Sequence, residues 1–398
     1  MTERAGTQKT KQRLTVLQML PELKEGGVEC ETVEMAAHLV QRGHNSIVAT
    51  QGGRMVATLE AEGSTHILYR HLGEKSPRCL GHIPALRRLL LERRVNVLHL
   101  RSRVPAWVGY LTWLSLPKPL RPCIVTTFHG FYSVNAFSAI MTKGQKTIAV
   151  SETIKDHILE NYQIPERRVE VIYSGFDDHL FNPDLVSTER IEAILSGWQL
   201  PLPDVPIIFF PGRITRLKGH ILFIRSLAMI KDHGWIAVCA GDVNENPNLA
   251  AELKEMITTF GLGDRILFPG YCTDMPAALM TAHLVVVPSI KPESFGRTAV
   301  EAQAMGKPVI ASAHGGSLET VVDRRTGLLV KPNDANEMAK ALKLLLSDPK
   351  LAVRLGQAGQ LRVREKFVAR QMFDKTLRLY TDLKAETHPY LLRETRHS

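Results

Sequence analysis

Two glutamates, Glu293 and Glu301, lie eight positions apart in the sequence and are its clearest candidates for chemistry. Glu293 stands in a loop after the apolar run LVVVPS, which predicts a buried parallel strand. Glu301 lies about one turn into TAVEAQAM, whose residue types and spacing predict a helix. Gly306 and the Lys-Pro pair after it predict the end of that helix. The two carboxylates therefore flank the start of a helix.

These groups suit a ligand with phosphate in its middle and hydroxyls at both ends. The backbone N–H groups from Phe295 to Thr298 lie at the predicted helix start, where free donors and the helix dipole hold phosphate. Gly296 lets the backbone approach such a ligand closely. A carboxylate repels phosphate, whereas it accepts hydrogen bonds from hydroxyls. A nucleotide-sugar fits this description, and two solvated surface glutamates are the alternative interpretation.

The same segment resembles glycosyltransferase family 4, whose members are retaining enzymes of the GT-B fold. The resemblance rests on PS-x3-E-SFG and on E-A-x-A-x-G-x-P-V-I-A-S. It implies that Glu293 contacts hydroxyls of the donor sugar and that Glu301 binds the nucleotide ribose. Ser294 stands where the family often has proline, a departure that touches neither carboxylate. The donor-binding residues implied here are Ser294, Phe295, Gly296, Arg297, Thr298 and Glu301.

The second half of the chain predicts a doubly wound parallel sheet. Six strand segments, from IIFFPG to GLLVKP, alternate with helical segments. Because the carboxyl ends of parallel strands meet at one edge, the residues that follow them should converge on one crevice. Those residues are Gly212 and Arg213, Lys218 and Gly219, Gly241 and Asp242, Glu293 to Thr298, and Gly315 and Gly316 with Glu319.

Two further strings of this half resemble family 4. PGRITRLKGH is similar to its GR-x4-KG segment, which implies that Arg213 and Lys218 bind the donor diphosphate and stabilise its departure. An exposed surface pair is the alternative for these two residues. A GG-x2-E pattern places Gly315 and Gly316 at the donor, with Glu319 behind them.

The first half predicts another parallel sheet, with a glycine loop at the end of its first strand. Gly26 and Gly27 follow the strand segment LTVLQMLPEL, at the edge where doubly wound sheets bind ligands. By resemblance this loop faces the donor phosphates, although many such turns are only tight turns. Glu29 is interpreted as a carboxylate at a helix start, where it is favourable to the dipole.

Arg101 and Arg103 follow the strand VNVLHL on the same predicted edge. Arginine suits bidentate binding of phosphate or carboxylate. The string HLRSRVPAW looks like the family 4 enzymes that build the lipopolysaccharide core, which implies an anionic acceptor for both arginines. A structural salt bridge is the equally open alternative.

His129 ends the strand CIVTTFHG, and the resemblance implies that it touches the donor sugar. A polar residue at the rim of the sheet is the alternative. Asp177 and Asp178 invite a metal site, but they follow a strand as in the family's NGVD-type segment, and GT-B enzymes use no metal-binding DxD motif. We therefore expect no metal and no cofactor.

The resemblance covers nearly all of the chain and implies a GT-B fold, in which two Rossmann-like domains face a central cleft. We expect an N-terminal acceptor domain over residues 1–175, a linker over 176–205 rich in Pro, Asp and Ser, and a donor domain over 206–365. A last helix over about 366–385 is expected to pack back on the N-terminal domain, and the tail HPYLLRETRHS is expected to fray.

The chain of 398 residues has a net charge of +10, which indicates anionic partners. No aromatic-and-basic motif for nucleic acid is present, so an anionic glycan or lipid is favoured. The helix IPALRRLLLERR would present arginines to solvent or to anionic membrane headgroups. These are Arg87, Arg88, Arg93 and Arg94.

The expected location is the cytoplasm, with peripheral contact at the inner face of the cytoplasmic membrane. The five cysteines are scattered, no C-x-x-C pair is present, and the polar N-terminal stretch lacks an apolar signal core. No apolar run reaches the length of a membrane span.

The predicted activity is transfer of a hexose from a nucleotide diphosphate sugar, GDP-mannose or a UDP-sugar, to a glycan or glycolipid, as in lipopolysaccharide core synthesis. For this family the usual mechanism has the leaving phosphate accept the proton of the acceptor. Two alternatives stay open: a binding protein of this fold that has lost catalysis, and a nucleotide-sugar epimerase. A dehydrogenase is disfavoured because no G-x-G-x-x-G follows the first strand.

Overall fold

The computed structural model describes residues 13–24, 26–200 and 205–387, which form two compact units. Of these residues, the first unit contains 13–24, 26–150, 154–172 and 373–387, and the second contains 151–153, 173–200 and 205–372. The polar N-terminal stretch and the tail expected to fray lie outside the described residues. The domain limits inferred from the sequence stay a prediction.

The first unit is built on a seven-stranded parallel sheet with the strand order β3-β2-β1-β4-β5-β6-β7. The chain runs through β1 (Thr15–Met19), α1 (Gly27–Gln41), β2 (Asn45–Thr50), α2 (Val56–Ala61), β3 (Thr65–Leu68), α3 (Ile83–Glu92), β4 (Val97–Leu100), α4 (Arg103–Ser115), β5 (Cys123–Phe128), β6 (Lys146–Ala149), α5 (Glu152–Asn161) and β7 (Val169–Val171). The order reverses between β1 and β4, so their carboxyl ends border the crevice where such sheets bind ligands.

The second unit is built on a six-stranded parallel sheet with the order β10-β9-β8-β11-β12-β13. Its elements are α6 (Thr188–Gly197), β8 (Ile207–Pro211), α7 (His220–Ala228), β9 (Ile236–Ala240), α8 (Pro247–Thr259), β10 (Ile266–Gly270), α9 (Met275–Thr281), β11 (Leu284–Val287), α10 (Arg297–Ala304), β12 (Val309–Ser312), α11 (Ser317–Thr320), β13 (Leu328–Val330), α12 (Ala335–Ser347) and α13 (Pro349–Lys366). Here the order reverses between β8 and β11.

The fold class predicted from the sequence, two Rossmann-like parallel-sheet domains, is confirmed. Fully buried strands such as β8 and β11 carry continuous apolar runs, because helices cover both faces of a parallel sheet. In the second unit their side chains pack with those of the helices in one core around Phe210 and Trp235. Two helices were not predicted: α2 is only six residues long, and the ten residues of α5 are mostly polar.

The helix that carries Glu301, α10, begins just after Gly296 and ends just before Gly306. Gly296 precedes it with φ +87°, and Gly306 follows it with φ +70°, a region that side chains disfavour. The N–H of Gly306 donates to the carbonyl of Gln303 at 2.8 Å, and the N–H of Lys307 donates to that of Ala302 at 3.0 Å. These bonds close the helix end as its glycine predicts.

The last helix, α14 (Ala369–Thr387), contributes most of its length to the first unit. Asp374 on α14 accepts from Arg42 at 2.6 Å and lies 3.1 Å from the ring nitrogen of His38. Further along the helix, the Tyr380 hydroxyl lies 2.6 Å from Nδ1 of His99. Contacts with α1 and with the end of β4 thus anchor the helix.

Over the described ranges no helix combines the length and the apolar character needed to cross a bilayer. The five cysteines all lie within the described residues, and no disulfide joins any two of them.

Candidate active site

In the second unit, a lysine and a glutamate meet where two central strands end. Lys218 follows β8 and Glu293 follows β11, and Lys218 Nζ donates to Glu293 Oε1 at 2.6 Å. The hydroxyl of Ser289 donates to the same oxygen at 2.5 Å. The side chains of Lys218 and Glu293 are 26% and 16% exposed, so the pair lies mostly out of water but stays within reach of a ligand.

Backbone contacts fix the position of this pair. The N–H of Ile290, in the Glu293 loop, donates to the carbonyl of Leu217 at 2.9 Å. Gly219 has φ +88°, and a Cβ there would lie 1.9 Å from the carbonyl oxygen of Pro288. Only glycine permits this approach, which is the physical reason for the glycine after Lys218.

Gly315 and Gly316 press against the other side of the Glu293 loop. A Cβ on Gly315, whose φ is +58°, would lie 2.5 Å from the Glu293 carbonyl oxygen. A Cβ on Gly316 would lie 2.4 Å from the Cα of Phe295, and the N–H of Gly316 donates to the Glu293 carbonyl at 2.8 Å. The two glycines therefore set where the carboxylate loop and the start of α10 lie.

The electrostatic environments of the two predicted carboxylates differ. Burial acts to raise the pKa of Glu293, but the Lys218 ammonium and the Ser289 hydroxyl outweigh it and hold that pKa below its ordinary value. Burial raises the pKa of Glu301, and only in part do Arg297 and Lys218 oppose it. Arg297 lies 3.2 Å from Glu301 Oε1, one helical turn away.

Three other residues predicted to bind the donor lie after β8 or near the start of α10. The carbonyl of Ser294 accepts a hydrogen bond from the Ser151 hydroxyl at 2.5 Å, and Thr298 lies in the first turn of α10. Arg213 is exposed after β8, next to Gly212, whose carbonyl oxygen would lie 2.2 Å from a Cβ on Gly241. The backbones that follow β8 and β9 therefore lie in contact.

The Glu319 carboxylate accepts hydrogen bonds from the start of α5, within residues 151–153, which belong to the second unit. Its Oε2 accepts from the N–H of Glu152 at 2.9 Å, and its Oε1 accepts from the N–H and the hydroxyl of Thr153 at 2.9 and 2.6 Å. Both carboxylate oxygens thus accept hydrogen bonds from the protein, and Glu319 holds the start of α5 in place. Its predicted contact with the donor stays a prediction.

In the first unit, Arg101 is buried at 3% exposure and donates to both Glu31 and Gln18, the latter at 3.0 Å. Glu31 lies on α1, the helix that begins at Gly27 with Gly26 before it. The burial favours the structural salt bridge that the sequence left open for Arg101, and a direct contact with an acceptor stays a prediction.

Arg103 has a different environment. It is half-buried, with its guanidinium 4.8 Å from the ring centre of Tyr132 and 6.0 Å from that of Phe137. Its Nη1 donates to the Ser138 hydroxyl at 3.4 Å. No carboxylate neutralises this cation in the part of the chain that the structure describes, so Arg103 is the better candidate for an anionic acceptor.

His129 lies beyond β5, next to the buried pair of Arg101 and Glu31. Burial lowers its pKa to about 4; Glu31 acts to raise it and Arg101 to lower it. The ring is therefore neutral at physiological pH. Its Nε2 is buried and has no hydrogen-bond partner within the described residues, as expected of an atom that contacts a ligand.

The described residues contain no group of three or more His, Cys, Asp or Glu side chains that could hold a metal ion. Asp177, which invited a metal interpretation, accepts from the backbone N–H groups of His179 and Leu180 at 2.8 and 3.0 Å. It closes a turn instead.

Known protein families and a solved structure match this chain. The family described as glycosyl transferases group 1 matches residues 198–362, and glycosyltransferase family 4 matches residues 25–180. A crystal structure of a glycosyltransferase from Rickettsia africae is 33% identical, with a TM-score of 0.87 over 94% of this chain and 99% of that one. The chain belongs to the glycosyltransferases of group 1 and family 4.

Two named relatives of this glycosyltransferase illustrate the range of the family. A D-inositol 3-phosphate glycosyltransferase from Salinispora arenicola is 32% identical over 56% of this chain and 51% of its own length. The lipopolysaccharide core biosynthesis mannosyltransferase LpcC of Rhizobium leguminosarum is 34% identical over 50% of this chain and 55% of its own length. The chain spans about half the length of the first curated relatives it matches.

Three polar residues that the structure of this glycosyltransferase brings to the two sites were not predicted from the sequence. Ser289 donates to Glu293, His314 contacts the carbonyl of Ser289, and Glu31 pairs with Arg101. Ser289 and His314 each follow a buried strand by two residues, and that position could have singled them out. Glu31 lies inside a helix 70 residues before its partner, and no local pattern reveals that pairing.

Proposed function

We propose that this glycosyltransferase moves a hexose from a nucleotide diphosphate sugar to a glycan or glycolipid acceptor, with retention of the anomeric configuration. The observation that carries the proposal is the contact between Lys218 and Glu293 beside the start of α10. A cation, a carboxylate and helix N–H groups meet there, as phosphate next to sugar hydroxyls requires.

Lys218 and Arg213 are proposed to bind the donor diphosphate together with the N–H groups at the start of α10. When the anomeric carbon loses the nucleotide diphosphate, negative charge grows on the departing phosphate. Fixed cations and amides then stabilise the transition state more than the ground state, and one such donor is worth on the order of 3 kcal/mol.

Glu293 is proposed to bind the donor sugar. Lys218 and Ser289 both donate to its Oε1, which leaves Oε2 for a ligand hydroxyl as far as the described residues show. Its lowered pKa keeps it ionised, and a carboxylate forms stronger hydrogen bonds with hydroxyls than a neutral group does. Glu301 is assigned to the ribose and His129 to the donor sugar, both by similarity to the family.

The acceptor is proposed to be anionic, as in a lipopolysaccharide core. The net charge of +10 and the half-buried Arg103 support this, as do the names of two relatives, one acting on inositol 3-phosphate and one on a lipopolysaccharide core. GDP-mannose is the first donor to test, since the second relative is a mannosyltransferase, and UDP-sugars are the second.

Thermal unfolding with a panel of UDP-, GDP- and ADP-sugars tests the donor, and NMR of the product tests the configuration. We expect one donor class to stabilise the protein, and transfer to persist in EDTA. Binding without transfer or hydrolysis would indicate a binding protein, and a new sugar formed without acceptor would indicate an epimerase. Inversion at the anomeric carbon would contradict the proposed mechanism.

The enzyme is further proposed to work in the cytoplasm at the surface of the membrane that holds its acceptor. On α3 the apolar Leu86 and Leu90 are buried, while Arg88 and, after the helix, Arg93 are exposed. Such residues are worth about 1 kcal/mol each on an anionic surface.

Sedimentation with phosphatidylglycerol vesicles tests this location. We expect Arg88→Glu with Arg93→Glu to weaken sedimentation. The matched control replaces two exposed lysines of α12, Lys340 and Lys343, by glutamate. An equal loss in both proteins would indicate net charge alone, and no loss in either would contradict the proposed surface.

A further inference from the structure

His314 follows β12 and reaches the loop that carries Glu293. Its Nε2 lies 2.8 Å from the carbonyl oxygen of Ser289. Because a carbonyl oxygen can only accept a hydrogen bond, Nε2 must carry the hydrogen. In the neutral ring Nδ1 is then an acceptor, and this tautomer is fixed by the protein backbone.

The Nδ1 atom of His314 is buried, and no donor for it is present within the described residues. Unpaired buried polar atoms are rare in folded proteins and call for an explanation. The position of His314 suggests an explanation, because Ser289 links it to Glu293. The Ser289 carbonyl accepts from the His314 ring, and the Ser289 hydroxyl donates to Glu293 Oε1 at 2.5 Å.

We propose that His314 Nδ1 accepts a hydrogen bond from a hydroxyl of the donor sugar, next to the hydroxyl bound by Glu293. His314 is then a specificity-determining residue, and this inference rests on the proposed function. A phosphate is the wrong partner for this atom, because a phosphate oxygen and a neutral Nδ1 both accept hydrogen bonds. A sugar hydroxyl has the hydrogen that both Nδ1 and the Glu293 carboxylate need.

The variant His314→Gln distinguishes the contributions of the two ring nitrogens. The glutamine amide can reach the Nε2 position and donate to the Ser289 carbonyl, but it places no acceptor at the Nδ1 position. We expect the variant to unfold at the wild-type temperature and to bind UDP and GDP as wild type does. Its kcat/KM for the active sugar nucleotide should fall about tenfold, the effect of one hydrogen bond.

Donors that lack single hydroxyls identify the contact. Wild type should lose about tenfold in kcat/KM with one monodeoxy donor, and His314→Gln should lose nothing further with that same donor. Should glutamine prove unstable, His314→Asn, which keeps a polar atom near Nδ1, takes its place and should retain the discrimination.

Three results would overturn the inference. If His314→Gln has the wild-type kcat/KM, the role of His314 is limited to its hydrogen bond with Ser289. If His314→Gln binds UDP or GDP themselves more weakly, His314 acts on the phosphates and not on the sugar. If wild-type protein binds no UDP-, GDP- or ADP-sugar, the proposed function fails first and this inference fails with it.

Discussion

Lys218 Nζ and Glu293 Oε1 lie 2.6 Å apart, although 75 positions separate the two residues in the sequence. In the proposed reaction the ammonium faces the diphosphate and the carboxylate faces the sugar. The bond between sugar and phosphate is the one that breaks, so groups assigned to its two sides must be neighbours. Their contact is therefore the expected geometry of a site that cleaves this bond, and it supplies the first prediction.

Lys218→Ala should lower kcat by about a hundredfold to a thousandfold, because it removes a donor to the charge that develops on the departing phosphate. The free energy of unfolding should fall by only about 1–3 kcal/mol, since Glu293 keeps its bond to Ser289. Kinetics and urea unfolding measure the two effects. Lys291→Ala is the control, because Lys291 is an exposed lysine of the same loop. Wild-type turnover in Lys218→Ala would refute the assignment.

Glu293 should stabilise the folded protein only while it is ionised. Its folded-state pKa lies below the ordinary value of 4.5, so its contribution is complete above 4.5 and is lost as the pH falls through the lower value. Wild type should therefore be more stable than Glu293→Gln at neutral pH, with a difference that shrinks below 4.5. Denaturant unfolding across this range measures it, and a pH-independent difference would contradict the ion pair.

Glu301 should behave in the opposite way, because burial raises its pKa above 4.5. An acid with a raised folded-state pKa favours folding at low pH and loses that contribution as the pH rises through 4.5 to the raised value. Glu301→Gln should therefore be more stable than wild type at neutral pH, yet bind the nucleoside diphosphate roughly tenfold more weakly. Thermal unfolding measures the change in stability, and calorimetry measures the affinity for the nucleoside diphosphate. An unchanged affinity would show that Glu301 does not bind the ribose.

The convergence of Lys218, Glu293 and Gly315 could be predicted from the sequence for a general reason. Each follows a strand of one parallel sheet, and topology brings the ends of such strands together. Apolar runs define those strands, so the fold and this part of the site are both readable from local patterns.

Side-chain pairing could not be predicted in the same way. Arg101 looked like a rim arginine, but Glu31 on α1 draws it into the interior, and that contact depends on how a helix packs on the sheet. The sequence pattern places Glu319 behind the donor glycines, but its bonds to the backbone N–H groups of Glu152 and Thr153 could not be predicted. Partners so distant in sequence leave no periodic signal.

The two arginines that the sequence grouped together should therefore differ in mutants. Arg101→Met should reduce the free energy of unfolding by about 3–5 kcal/mol, because it removes one partner of a buried ion pair. Arg103→Met should change stability far less and instead raise KM for the acceptor, while KM for the donor stays constant. Unfolding and acceptor kinetics test the pair, and equal effects of both changes on stability would contradict this division.

Gly316→Ala should damage the site through the backbone alone. The new Cβ would lie 2.4 Å from the Cα of Phe295, so the start of α10 and the Glu293 loop must move. Overpacking of this kind costs about 1–3 kcal/mol, and a displaced helix start should also weaken binding of UDP and GDP. Gly263→Ala is the matched control, because nothing lies within 4 Å of a Cβ at that position. If both variants bind nucleotide as wild type does, the helix start does not hold the diphosphate, and the phosphate contacts must be sought at Lys218 and Arg213 alone.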